Sequence, residues 1–72
     1  MNKKNKIKIT VNSKQMTVNI NITLKNLTEK LKIPINRVAF ELNREIVNKK
    51  NINKIFFKAG DKLEIVHFIG GG

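Results

Sequence analysis

The chain has no cysteine, no tryptophan and no tyrosine, and only one proline, one histidine and five acidic residues in 72. Without cysteine, disulfides, thiolate metal centres and thiol nucleophiles are excluded. The lone His67 excludes a multi-histidine metal site. As a general base it has no nucleophile, paired carboxylate or phosphate loop beside it, so a structural or strand-edge role is expected. The five acids show no close pairing of the kind that marks acid–base chemistry, and Asp61 and Glu64 read as turn and surface residues. No glycine-rich loop opens a helix, so nucleotide binding by this chain is not expected. No run approaches the roughly 20 apolar residues of a membrane span. The start Met1-Asn2-Lys3-Lys4-Asn5-Lys6 is basic, but no apolar core follows it. A secretory signal or transit peptide is therefore not expected, and the protein should work where it is made.

What is abundant is positive charge, +10 in all. Thirteen lysines, eleven asparagines and eleven isoleucines make up about half of the chain. All three residue types have AT-rich codons, so mutational bias accounts for the basic surface without a polyanionic partner. The arrangement agrees. Basic residues run from Lys3 to Lys62 with no block of like charges after the N-terminus, and only Arg37 and Arg44 carry the guanidinium that base reading favours. The four phenylalanines sit within apolar runs and form no evident stacking platform.

The patterning is that of one small domain. Ile7, Ile9 and Val11 alternate with polar residues, Asn12-Ser13-Lys14 reads as a turn, and alternation resumes from Met16 to Ile22, so a hairpin is expected. The period then lengthens. Leu24, Leu27 and Leu31 share one helical face, Thr23 is the expected N-cap, and Pro34 should stop the helix near Ile33. Residues 35–42 read as a strand, Asn43-Arg44 as a tight turn and Glu45-Ile46-Val47 as a short strand. Residues 48–54 read as a loop, with one helical turn near Ile52–Phe56. Ala59-Gly60-Asp61 is a turn and Lys62–Ile69 the last strand. The order β-β-α-β-β-β is an α+β arrangement in which the last strand lies centrally, parallel to the first. Leu63 and Ile65 should face the helix, leaving Glu64, Val66 and Phe68 on the open face.

The chain then ends Ile69-Gly70-Gly71-Gly72. Glycines without Cβ atoms, directly after an apolar strand, do not form a packed element. Extended, they reach roughly 10 Å and present a backbone carboxylate on an arm slim enough for a narrow channel. The bland alternative is a frayed terminus. Apolar Val66 and Phe68 on the open face are, in the same two ways, either ordinary exposed surface or a docking patch beside the tail. The expected organisation is a single domain over residues 1–69, with 1–5 flexible, followed by a flexible tail, 70–72.

Two segments carry a family resemblance. Asp61-Lys62-Leu63-Glu64-Ile65-Val66-His67-Phe68-Ile69-Gly70-Gly71-Gly72 resembles the C-terminus of the ThiS family, the sulfur carriers of thiamine biosynthesis. Glu41-Leu42-Asn43-Arg44-Glu45-Ile46-Val47 looks like that family's hairpin. The resemblance covers essentially residues 6–72. A glycine ending alone is shared with ubiquitin and with molybdopterin synthase small subunits, whereas the two segments together are more specific. The basic extension Met1–Asn5 and the high charge depart from the family pattern.

The resemblance implies a ubiquitin-like β-grasp fold, a mixed sheet of about five strands on one main helix. It implies a carrier rather than an enzyme, with no bound cofactor. ATP would be used by a partner, a ubiquitin-activating-type adenylyltransferase that joins Gly72 to AMP. A cysteine desulfurase or other donor would supply sulfur, and the resulting thiocarboxylate would serve thiazole synthase. Gly70 and Gly71 would thread the partner's channel while Val66 and Phe68 dock. A carrier for molybdopterin or another thiolated product, a ubiquitin-like protein modifier and, as an outlier, a nucleic-acid-binding β protein are the alternatives. The expected location is the cytoplasm of an AT-rich bacterium or a plastid stroma, with no membrane and no specific nucleic-acid partner.

If codon bias explains the charge, polyanion binding is weak and sequence-blind, and it falls steeply with salt. Competition titrations at about 150 mM salt, where screening acts over roughly 8 Å, should show no selective binding. Tight, sequence-selective binding there would favour the nucleic-acid reading.

Overall fold

Each of the two hairpins turns on a pair of residues with positive φ, Asn12 and Ser13 (49° and 72°) and Asn43 and Arg44 (54° and 73°). Two central residues in this region give the tight turn whose twist matches that of the flanking strands. The computed structural model describes residues 5–68. Its elements are β1 (Lys6–Val11), β2 (Lys14–Asn19), α1 (Leu24–Lys30), β3 (Val38–Leu42), β4 (Glu45–Ile46) and β5 (Lys62–His67). The strands form one mixed sheet in the order β2-β1-β5-β3-β4. As the element order predicts, β5 is central and parallel to β1, and it runs antiparallel to β3.

The helix starts where expected. Thr23 Oγ1 accepts from the Asn26 N–H (3.0 Å), and Asn26 Oδ1 accepts from the Thr23 N–H (3.2 Å), a reciprocal cap with asparagine at the position usually held by a longer side chain. It ends three residues before the expected stop. Lys32 adopts a φ of 58°, the Ile33 N–H donates to the Thr28 carbonyl (2.9 Å) and the Lys32 N–H to that of Glu29 (3.2 Å). This left-handed cap satisfies the last carbonyls before Pro34 can act.

Other boundaries also differ from expectation, among them the short fourth strand, which ends at Ile46 rather than Val47. The second strand, expected to reach Ile22, ends at Asn19, because the Ile22 N–H bonds back to the Asn19 carbonyl (3.1 Å) and swings the chain towards the helix. The strand expected over 35–42 begins only at Val38. Ile35–Arg37 form a 3₁₀ turn closed by the Arg37 N–H on the Pro34 carbonyl (2.8 Å). The helical turn expected near Ile52–Phe56 is a 3₁₀ helix over Lys49–Lys54, started by Asn48, whose Oδ1 accepts from the Lys50 N–H (2.9 Å). The last strand stops at His67, and Ile69 lies outside the described residues.

One sheet face and the helix enclose the core. Ile9 and Val18 come from the first hairpin, Leu24 and Leu27 from the helix, Val38 and Phe40 from β3, and Leu63 and Ile65 from β5. Ile52 and Phe57 close it from the long connection between β4 and β5. Each such side chain contributes about 1.5–3 kcal/mol on leaving water.

Both turn asparagines also reach into β5. Asn12 Nδ2 donates to the Ile65 carbonyl (3.2 Å) while its Oδ1 accepts from the Ile65 N–H (2.7 Å), so one side-chain amide stands in for a peptide group of a neighbouring strand. Asn43 Oδ1 accepts from the Lys62 N–H (3.0 Å) and its Nδ2 donates to Asp61 Oδ1 (3.0 Å). Replacing Asn12 by glycine keeps the turn conformation but removes both bonds to Ile65. The expected loss is about 1–3 kcal/mol, read as a lower urea midpoint with an unchanged slope. Ser13→Gly, which relieves a positive φ without touching β5, should be neutral or stabilising.

Candidate functional site

The C-terminal end of β5 is held by β3 and by the residue that precedes β3. Val38 stands opposite His67 and Ala39 opposite Val66, and one residue further on the Phe68 N–H donates to the Arg37 carbonyl (2.9 Å). The root of the tail is therefore a backbone position fixed by its neighbour strand up to residue 68. The candidate residues Gly70, Gly71 and Gly72 lie outside the described residues.

Along β5 the burial alternates as the sequence suggests. Leu63 and Ile65 are 1% and 8% exposed, whereas Val66 is 50% and Phe68 57% exposed. Val66 and Phe68 therefore stand at the surface beside the tail root. Register adds two apolar neighbours that sequence reading missed. Ala39 is paired with Val66, and Ile46, the most exposed large apolar side chain described (78%), is paired with Glu41 on the same face. Partners in an antiparallel ladder share a face, and diagonal neighbours stand about 7–8 Å apart. The alternation of Val38-Ala39-Phe40 signals the position of Ala39. Ile46 sits on a two-residue strand, too short for alternation to place it.

Glu41 and Glu64 lie directly opposite each other on this same face. Like charges so placed oppose pairing. The ion pair among the described residues, Lys25 with Glu29 at 3.5 Å, lies on the helix and does not involve them. The open face thus carries an apolar strip and an acidic spot on an otherwise basic chain. His67 is exposed at the end of β5 opposite Val38.

A depression of about 1040 Å³, lined by Thr10, Glu41, Asn43, Lys62 and Glu64, lies towards the N-terminal end of β5 and reaches the open face at the two glutamates, roughly 13 Å of strand from Phe68. Among the described residues no group of three or more histidine, cysteine or acidic side chains is placed to hold a metal ion, and no helix is long and apolar enough to cross a membrane. What the site offers is an exposed apolar strip beside a backbone position fixed at residue 68.

Comparison with known proteins identifies relatives of this fold. The profile of the ThiS family matches residues 5–72. The fold is similar to the crystal structure of a thiamine biosynthesis protein (ThiS) from Geobacter metallireducens, with a TM-score of 0.80 and 32% identity, covering 92% of this chain and all of that one. A thiazole synthase of Paramagnetospirillum magneticum is 38% identical over 66 residues, 92% of this chain but 20% of that protein. A second thiazole synthase, from Magnetococcus marinus, is 32% identical over the same length. The chain spans about a fifth of the length of these two relatives. An uncharacterized protein, ycf40, of Trieres chinensis is 34% identical over 62 residues, 86% of this chain and 85% of that one.

The parity of β5 sets up a paired test. Phe68→Ser should cost no more than about 1 kcal/mol, because an exposed ring loses little packing and at most one surface contact with a cation. Ile65→Ser should cost about 3–5 kcal/mol, through lost burial and a hydroxyl without a partner. Thermal unfolding of the two variants checks both, and the reverse order would invert the assignment of faces.

Proposed function

The chain belongs to the ThiS family, and from that premise we propose that it is a sulfur carrier of thiamine biosynthesis whose Gly72 carboxylate is the group that carries the sulfur. The observation that supports this most directly is that the family match extends through residue 72 and so takes in all three terminal glycines. A carboxylate does not react with sulfur nucleophiles, because oxide would have to leave. In the proposed sequence a partner adenylyltransferase first directs a Gly72 oxygen onto the α-phosphorus of ATP, forming an acyl-adenylate and releasing pyrophosphate. A persulfide sulfur, from a cysteine desulfurase or another donor, then attacks the acyl carbon and AMP leaves. A thiol finally cleaves the sulfur–sulfur bond of the resulting acyl persulfide. The thiocarboxylate remains on the carrier and a disulfide forms from the two other sulfurs.

In this scheme the chain supplies no acid, base or electrophile. The partners provide the activation and charge stabilisation. Its own residues act by shape. Gly70 and Gly71 leave no side chain to obstruct a narrow channel, and Val66 and Phe68 dock on the partner beside that channel. Thiazole synthase is the proposed acceptor. The similarity to one-fifth of two thiazole synthases supports this, because joining a carrier domain to its acceptor in one chain raises their effective concentration. The proposed site of action is the cytoplasm or stroma in which the chain is translated.

Intact mass decides the central claim. After incubation with ATP, the adenylating enzyme and a persulfide donor, the mass should rise by the difference between sulfur and oxygen. An unchanged mass with a demonstrably active enzyme set rejects it. Deleting Gly72, or adding one residue after it, should abolish the change while leaving thermal unfolding as in the parent chain.

A further inference from the structure

Lys49 is the one basic side chain among the described residues that is not exposed. Its ammonium lies 5.2 Å from the centroid of the Phe68 ring. An ammonium is strongly hydrated, and the negative face of an aromatic ring is one of the few apolar surfaces that compensates it for lost water. The base of this lysine is rigid. Lys49 opens the 3₁₀ helix that Asn48 caps through the Lys50 N–H (2.9 Å), the Asn51 N–H returns to the Asn48 carbonyl (2.9 Å), and Ile52 of the same helix is buried in the core.

Phe68 is fixed differently. Its N–H is held by the Arg37 carbonyl, but the residue is more than half exposed, so packing does little to select among its side-chain rotamers. The ammonium does. A ring fixed on one side of the strand end is a preorganised contact, and the partner no longer has to order it on binding.

We infer that Lys49 is a positioning residue for Phe68 at the end of β5: its ammonium holds the ring in one orientation, so that ring and strand end meet the adenylating partner as a unit. The inference rests on the carrier reading. Lys49 touches no reacting atom and acts only through Phe68. Covering the ring removes water from the contact and strengthens it, so the effect is greatest in the docked state.

The test is a double-mutant cycle on the full chain, with pyrophosphate exchange by the adenylating enzyme followed as a function of carrier concentration. Lys49→Met, which keeps the stem and loses the charge, should raise KM by about two- to five-fold with kcat unchanged. Lys49→Arg should restore KM, because a guanidinium also sits over a ring. In a Phe68→Leu background, Lys49→Met should add no further loss. An equal penalty in both backgrounds means that the lysine charge meets the partner by itself, and it overturns the inference. No penalty in either background also overturns it.

A second readout is independent of any enzyme. The Lys49 ε-methylene protons should show a ring-current shift in the NMR spectrum that disappears in Phe68→Leu. Unshifted protons in the parent chain overturn the positioning role alone. A parent chain that shows the shift but is never adenylated rejects the carrier reading, and the positioning role falls with it.

Discussion

The backbone of β5 has a strand on each side, and that double pairing governs the rest of the molecule. A central strand must satisfy its peptide groups on both edges, because burial leaves water unable to do so. Here one edge meets β3 over five residue pairs, whereas the parallel pairing with β1 covers two. The deficit on the β1 side is met by a side chain. Asn12 pairs with both peptide groups of Ile65 beyond the point where β1 has turned away. Asn43 does the related service near Lys62 from the other hairpin. A one-residue slip of β5 would send Leu63 and Ile65 to the open face and bring Glu64 and Val66 into the core. The two amides are positioned to oppose that slip, so the same bonds that complete the sheet also set which side chains stand beside the tail.

Much of this was legible in the sequence wherever a residue's own neighbours decide its fate. The alternation around Ile9, Val18 and Ile65, the Thr23 cap and the left-handed Asn43 follow from local periodicity and turn chemistry, and the structure agrees with them. The misses share a different cause. Lys32 caps the helix in a conformation that lysine does not advertise, so the helix ends earlier than Pro34 alone implies. Residues 35–37 have strand composition, yet they tighten into a turn, with Ile35 packed against the core. Ile46 and Lys49 acquire their meaning only through register and through a connection folded back onto β5. Neither relation is written in the residues nearby. The glycine tail is the opposite case, plain in the sequence and beyond the residues that the structure describes.

The charge has a structural side as well. Ten of the eleven described lysines are exposed, and one ion pair offsets them among the described residues. An exposed pair such as Lys25–Glu29 contributes about 0–1 kcal/mol and less at high salt. Net repulsion opposes compaction, so stability falls to a small apolar core and to hydrogen bonds such as those of the turn asparagines. Raising ionic strength weakens that repulsion and should therefore favour the folded state.

The strand that completes the sheet is also the last one in the chain. Until residues 62–67 are available, β1 and β3 have no partner between them, and Leu63 and Ile65 are missing from the core. A chain cut short before that point is left with two open strand edges, which invite aggregation or proteolysis. Folding thus acts as an inspection of the C-terminal end: a molecule that has reached its native shape has, by that fact, the strand from which the glycines extend. Copies truncated within or before β5 lack the fold itself, so they do not accumulate as native molecules without the strand from which the chain continues.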